Sequence, residues 1–135
     1  MRIYVLAVGR LRPPFADDVQ HYQKLLAGHA RVEAIELRDK ERVDGRIPSR
    51  AFTVLLSTEG RMFDSISFSR FIEERRQSGQ DLCFVIGGHL GIELERCDLR
   101  LSFGPQTLAH QLARVVLLEQ IYRAHKILAG EPYHY

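Results

Sequence analysis

The chain has 135 residues, 45% of them apolar and 27% charged, and its net charge is +2 at neutral pH. This length and composition are typical of a globular protein, and we expect one domain over residues 1–135. So small a net charge excludes an avid nucleic-acid binder that ignores sequence.

Short apolar runs and only two cysteines bear on the cellular compartment. The first apolar run, residues 3–8, stops at Gly9 and is too short for a signal-peptide core or a membrane span. Cys83 and Cys97 match no zinc-site spacing and are expected to stay reduced. We therefore expect a cytoplasmic protein with no membrane segment and no bound metal.

The first third of the chain alternates between strand and helix patterns. A nearly continuous apolar and β-branched run predicts a strand over residues 2–8. Apolar residues at helical spacing predict a helix over residues 15–26, closed by Gly28. A second strand is predicted over residues 32–37.

The middle of the chain begins with an irregular segment, residues 37–50. Residues 38–50 hold five basic and three acidic side chains, which is typical of a solvated loop or of a loop that faces RNA. A third strand is predicted over residues 51–56, and Gly60 predicts a turn after it.

The elements that follow complete an alternating pattern. A helix is predicted over residues 67–78, with Ser67 as its N-cap and Gly79 at its end. The clearest strand is residues 82–86, followed by a short helix over residues 92–96 and a short strand over residues 99–102. Strands that alternate with helices predict an α/β fold, a parallel sheet with helices on both faces.

Ligands of open α/β sheets bind beyond the carboxyl ends of the strands, where this chain has two candidate loops. The first, residues 87–91, is rich in glycine, which lets a backbone approach a ligand, although a tight turn explains the glycines equally well. Its spacing matches neither a dinucleotide fingerprint nor a P-loop. The second, residues 102–107, offers Thr107 as an N-cap and either wraps a ligand with backbone groups or forms a simple turn.

The last helix, predicted over residues 108–129, is apolar well beyond one face. A surface helix needs an apolar stripe of about 100°, so a wider one is buried inside the protein or against a second subunit. We favour a homodimer. The chain then ends in Tyr133-His134-Tyr135, an aromatic tip where most domains have a frayed polar tail.

Three stretches in order carry a resemblance to a known family: FVIGGHLG at residues 84–91, LSFGPQTLAHQLARVVLLEQIYRA at residues 101–124, and the ending GEPYHY. They resemble the ribosomal RNA large-subunit methyltransferase H family of the α/β-knot (SPOUT) methyltransferases. The resemblance covers nearly the whole chain, including the opening strand that ends in AVGRL. It is most specific over the last 55 residues.

The resemblance implies a fold and a reaction. The C-terminal segment would be threaded into a trefoil knot, and the protein would be an obligate homodimer that binds S-adenosylmethionine. The reaction would be methyl transfer to N3 of a pseudouridine in large-subunit (23S) rRNA on the assembled ribosome.

The resemblance also assigns roles to residues. Tyr133 and His134 would lie near the cofactor methyl group, with His134 as proton acceptor or as a positioning residue. We add Arg114 and Arg123 as cations that face RNA phosphates. The residues implied to bind the cofactor are Leu56, Gly87, Phe103, Gly104, Pro105, Gln106, Thr107 and Leu108.

Six residues depart from the family's usual pattern: Ser57, His89, Leu90, Gln106, Ala109 and Tyr135. Two alternatives to the expected function stay open. One is a knotted methyltransferase that acts on tRNA or on another rRNA atom. The other is a dimeric ribosome-binding module without catalytic activity.

Overall fold

The computed structural model describes residues 1–38, 42–87 and 92–133. Its helices and strands, in chain order, are β1 (Arg2–Val8), α1 (Phe15–Leu26), β2 (Arg31–Leu37), α2 (Val43–Arg46), β3 (Phe52–Met62), α3 (Ser65–Ser78), β4 (Leu82–Ile86), β5 (Leu99–Ser102) and α4 (His110–Leu128).

The five strands form one parallel sheet in the order β2-β1-β4-β3-β5. Strand β4 lies at the centre, and all five of its residues are buried, as its continuous apolar sequence predicts. Because every strand runs in the same direction, their carboxyl ends meet at one edge of the sheet. The predicted parallel α/β sheet is confirmed.

The two faces of the sheet are covered differently. The long helices α1, α3 and α4 all pack on one face, where Val19, Phe71 and Leu117 join alternate residues of β1 and β4 in one apolar core. On the other face, Val43 of the four-residue α2 and the apolar residues of segment 92–97 cover a smaller cluster. Helices therefore lie on both faces, and in the described part of the chain the second face carries only a short one.

Two predicted helix starts are wrong. Asp64, not Ser67, is the N-cap of α3, and its carboxylate accepts a hydrogen bond from the Ser67 N–H at 2.7 Å. The helix thus begins at Ser65. Gly79 ends it, as predicted, and has a positive φ of 74°. Helix α4 has Ala109, not Thr107, at its N-cap, and no side chain caps it.

Gly60 is not in a turn but inside β3, which continues to Met62. Leu56 and Arg61 both pair with Leu101 of β5, so residues 57–60 bulge out of the ladder between them. A Cβ atom on Gly60 would lie 2.6 Å from the backbone carbonyl atoms of Arg100. The glycine is therefore needed for a close approach of two strands.

Two further predictions in the loops need correction. The predicted helix over residues 92–96 does not form, and this segment is irregular. Within the predicted irregular segment 37–50, residues 43–46 form α2, because Val43 is fully buried and holds this turn against the sheet.

Candidate functional site

A cleft of about 970 Å³ opens at the carboxyl edge of the sheet. The ends of β4 and β5 and the bulge of β3 border it, and the start of α4 closes one side. Its volume is at the upper end of the roughly 300–1,000 Å³ of small-molecule sites. The residues that line it are Asp44, Leu55, Leu56, Ser57, Thr58, Glu59, Ile86, Gly87, Ile92, Glu93, Arg100, Leu101, Phe103, Gly104, Gln106, Thr107, Leu108, Ala109, His110 and Ala113.

The floor of the cleft is apolar and comes from the strand ends. Ile86 and Leu101 are buried core residues, and half-buried Leu56 lies at the point where the β3 ladder breaks. Gly87 follows directly after β4, and the absence of a side chain there leaves its backbone open to the cleft. This floor can hold the apolar parts of a ligand away from water.

Ser102 organises the loop that leads from β5 into α4. Its hydroxyl oxygen accepts a hydrogen bond from the Gly104 N–H at 3.0 Å and lies 2.9 Å from the Gly104 carbonyl and 3.3 Å from the Thr58 carbonyl. Gly104 has a φ of 129°, which other residues rarely adopt. One buried hydroxyl thus ties this loop to the bulge of β3.

The first turn of α4 borders the cleft on one side and contacts the loop after β1 on the other. His110 and Ala113 line the cleft, whereas Gln111 and Arg114 contact the loop after β1. The Gln111 side-chain carbonyl accepts a hydrogen bond from the Arg12 N–H at 2.6 Å. The helix start is therefore fixed to the β1 loop on one side while it borders the cleft on the other.

The geometry does not favour the prediction that Arg114 contacts RNA phosphates. Its side chain is only 4% exposed and donates to the Glu36 carboxylate at 2.9 Å and to the Gly9 carbonyl at 3.2 Å. A buried cation needs such partners, and here they fix α4 to the ends of β1 and β2. The sequence places Arg114 on a polar helix position but does not show the partners that enclose it.

Glu36, near the end of β2, is bonded both to the loop after β1 and to Arg114 of α4. Its carboxylate also accepts a hydrogen bond from the Leu11 N–H at 3.0 Å. Burial acts to raise the pKa of Glu36, but the bonds from Arg114 and Leu11 and the charges of Arg114 and Arg10 outweigh it. The pKa is therefore lower than that of an ordinary glutamate, and the carboxylate stays ionised.

Charged residues that the sequence pattern did not predict for the site lie at the edge of the cleft. Asp44, Glu59 and Glu93 contribute carboxylates, and Arg100 donates to Glu93 at 2.9 Å. Glu59 lies there because of the bulge in β3, and a bulge cannot be foreseen from strand periodicity. An acidic rim suits a ligand that carries positive charge.

Tyr133 lies against the second half of α4 and is not among the residues that line the cleft. Its hydroxyl donates to the Glu119 carboxylate at 3.1 Å, and its ring packs edge-on to Tyr122 at 4.8 Å. Burial, the hydrogen bond with Tyr22 and the charge of Glu119 raise the pKa of Tyr133 well above its ordinary value. The phenol therefore remains a hydrogen-bond donor.

Arg123 completes the anchor of the tail. Its guanidinium donates to the Tyr133 carbonyl at 3.1 Å and to Glu119 at 2.8 Å, and it lies over the Tyr133 ring at 4.9 Å. A guanidinium with these partners is occupied within the protein, so the geometry does not favour the prediction that it contacts RNA. We call Glu119, Tyr122, Arg123 and Tyr133 the tail anchor.

The structure brings most of the predicted cofactor residues together. Those that line the cleft are Leu56, Gly87, Phe103, Gly104, Gln106, Thr107 and Leu108. Pro105 lies in the same loop but not on the cleft surface. His134, named as the catalytic residue, lies outside the described residues, as do His89 and Tyr135.

Residues 1–38, 42–87 and 92–133 contain no cluster of three or more metal-ligating side chains. In the same ranges no helix is both long and apolar enough to cross a membrane. Burial raises the pKa of the Cys83 thiol to about 12, so this thiol is not a ready nucleophile.

Comparison with known proteins gives consistent matches over the full length. The family model described as "Predicted SPOUT methyltransferase" matches residues 1–134. The chain is 39% identical to the ribosomal RNA large subunit methyltransferase H of Carboxydothermus hydrogenoformans and 38% identical to that of Streptococcus gordonii, over 99% of both chains in each case. The protein of the same name from Gemmatimonas aurantiaca is 37% identical, again over 99% of both chains.

These full-length matches agree with the structure, which has a cleft at the strand ends and a loop that leads from it into α4. The chain belongs to the SPOUT methyltransferase family.

Proposed function

We propose that this chain transfers a methyl group from S-adenosylmethionine to N3 of a pseudouridine in large-subunit (23S) rRNA, on the assembled ribosome. One observation carries the proposal: residues that the resemblance assigns to the cofactor, far apart in sequence, meet in one cleft at the carboxyl edge of the sheet. The relatives' names, which specify large-subunit rRNA, supply the substrate class.

The residues of the cleft fit S-adenosylmethionine, which supplies an electrophilic methyl group on a sulfonium centre. The apolar floor of Leu56, Ile86 and Leu101 suits the adenine ring and excludes water from it. The loop of residues 103–108 offers backbone groups for the polar edges of the cofactor. The carboxylates of Asp44 and Glu59 favour its positive charge.

In this proposal the tail of the chain serves the methyl acceptor. Tyr133 is a positioning residue for its neighbour in sequence, His134, because the tail anchor fixes Tyr133. His134 is the proton acceptor or orients the target base, since a histidine titrates near neutral pH. A His134→Ala enzyme is expected to bind the cofactor normally and to lose turnover.

The finer architecture is also part of the proposal. Residues 1–135 would form one α/β-knot domain, with the segment after β5 threaded as a trefoil knot, and two copies would form a homodimer. Exposed apolar side chains support the dimer. Met62 is 67% and Phe103 38% exposed, and both line a small pocket that includes Val116. Leu112, one helical turn before Val116 in α4, is 37% exposed. Because its substrate is the ribosome, we place the enzyme in the cytoplasm.

Methyl transfer onto ribosomes, separated subunits and tRNA tests the proposal. Labelled S-adenosylmethionine supplies the methyl group, and mass spectrometry of nuclease digests locates it. We expect one methylated pseudouridine in large-subunit rRNA and the highest rate on whole ribosomes. Methylated tRNA or another rRNA atom would replace the proposed substrate, and no transfer with no cofactor binding would indicate a non-catalytic module.

A further inference from the structure

Five exposed arginines lie on loops that follow β1 and β2 and on α2: Arg10, Arg12, Arg38, Arg42 and Arg46. We call them the arginine rim. Within residues 1–38, 42–87 and 92–133, none of the five forms an ion pair. The two arginines predicted to contact RNA, Arg114 and Arg123, are both committed to partners inside the protein. Other exposed cations are therefore better candidates for contact with the substrate.

The first part of the arginine rim is set by the pairing of β1 with β2. These strands are parallel and in register to Val8 and Leu37, and the Gly9 N–H donates to the Leu37 carbonyl at 2.9 Å. Arg10 and Arg38 each follow the end of one strand, so both lie at the carboxyl edge of the sheet. This is the edge at which the cofactor cleft opens.

The β1 loop also touches the cleft wall directly. A Cβ atom on Gly9 would lie 3.1 Å from the His110 ring, and His110 lines the cleft. The Arg12 backbone bonds to Gln111 in the same helical turn. Arg10 and Arg12 thus belong to a loop that is held against the wall of the cleft.

The second part of the rim comes from α2. Val43 is fully buried and fixes this turn to the sheet, and its neighbour Asp44 lines the cleft. Arg42 and Arg46 flank these two residues in sequence and are exposed. The rim therefore borders the cleft from two separate loops.

The five arginines outnumber the acidic residues of the same segments, which are Glu36, Asp39, Glu41 and Asp44. Glu36 lies beside Arg10, but its charge is matched by buried Arg114. Asp44 lines the cleft. Five guanidinium groups thus face solvent beside one cleft in a chain whose total net charge is only +2.

We propose that the arginine rim binds phosphates of the rRNA substrate and so delivers the target base to the cleft. Guanidinium groups suit this role because they bind phosphate oxygens in a bidentate manner. The inference rests on the proposed function, since it assumes that the cleft methylates RNA.

Two double variants on the same two strands test the inference. Arg10→Ala/Arg38→Ala removes two cations at the carboxyl ends of β1 and β2. Arg2→Ala/Arg31→Ala removes two exposed cations at the opposite ends, where these residues pair in register. Arg12→Ala/Arg46→Ala serves as a second rim variant. Each enzyme is assayed for S-adenosylmethionine binding by calorimetry and for methyl transfer to ribosomes from 50 to 200 mM salt.

We expect both rim variants to raise KM for ribosomes by roughly tenfold at about 150 mM salt, with kcat and cofactor affinity unchanged. The slope of log affinity against log salt should become shallower by about 1.4–1.8, from two lost phosphate contacts. The control variant should match the wild type.

Equal effects of rim and control variants, or an unchanged KM in both rim variants, would overturn the inference. A raised KM without a change in salt slope would also overturn it and point to a ribosomal protein as the contact. If the wild-type enzyme itself neither binds cofactor nor transfers methyl, it is the proposed function that fails, whereas salt-dependent binding to ribosomes still tests the rim.

Discussion

Glu36 and Arg114 form a link on which the position of α4, and hence one wall of the cleft, depends. Arg114 is buried, whereas Glu36 is about half exposed, so water weakens the interaction between them only from one side. The link also includes the Gly9 carbonyl and the Leu11 N–H. Losing the carboxylate charge leaves a buried guanidinium with weaker partners.

Glu36→Gln is expected to lower the free energy of unfolding by about 1–2 kcal/mol at pH 7. Because the folded-state pKa of Glu36 is lowered, its stabilising effect is present above the ordinary glutamate pKa and is lost as the pH falls through the folded-state value. Urea unfolding between pH 3 and 7 measures this. As the pH falls, the Glu36→Gln protein should lose less free energy of unfolding than the wild type. Equal losses in the two proteins would contradict the stabilising role of the Glu36 carboxylate.

Tyr133→Phe removes one hydroxyl from the tail anchor and leaves the ring against Tyr122. We expect a several-fold lower kcat, an unchanged affinity for S-adenosylmethionine, and a loss of stability of about 1 kcal/mol, since the Glu119 carboxylate loses one donor but keeps Arg123. Calorimetry and single-turnover methylation separate the two effects. A weaker cofactor affinity with normal kcat would place Tyr133 in the binding site instead.

At the scale of elements, the sequence predicted a strand or a helix end correctly where one local feature determines it. Strand β4 follows from a continuous apolar run, and the end of α3 from a glycine that adopts positive φ. The starts of α3 and α4 were displaced because Ser67 and Thr107 are acceptable caps in sequence, and only the folded chain shows that Asp64 and Ala109 hold these positions.

Contacts between distant parts of the chain determine the roles of two residues that the sequence pattern did not predict correctly. A glycine is typical of a turn, but Gly60 is required because the backbone of Arg100, 40 residues later, leaves no room for a Cβ atom. The role of Arg114 depends on Glu36, 78 residues earlier. The cofactor residues were predicted through a family resemblance, because no spacing indicates that Leu56, Gly87 and residues 103–108 share a cleft.

Gly60→Ala tests the close approach of β3 and β5. The added methyl group would overlap the Arg100 backbone, so we expect a loss of about 1–3 kcal/mol in stability and a weaker cofactor affinity, because the bulge of β3 lines the cleft. Gly45→Ala is the matched control, since a Cβ there meets no atom within 4 Å. Thermal unfolding should separate them, and equal melting temperatures would argue against a tight contact at Gly60.

At the scale of the whole molecule, the proposed dimer predicts the effect of a charge on the apolar surface beside the smaller pocket. Leu112→Glu should shift the protein to a monomer, because a carboxylate would be buried without a partner in the interface. Sedimentation velocity measures this, with Glu33→Gln on edge strand β2 as control. A wild-type protein that sediments as a monomer would remove the dimer from the account.

The central claim is that the cleft at the carboxyl edge of the sheet holds the methyl donor, and titration calorimetry with S-adenosylmethionine tests it most directly. The wild-type protein and Glu33→Trp, changed on an exposed edge strand, should bind in the micromolar range, about −8 kcal/mol. Leu56→Trp, which fills the cleft floor, should bind at least about tenfold more weakly. Equal affinity of the folded Leu56→Trp protein and the wild type, or no binding by the wild type, would contradict the claim.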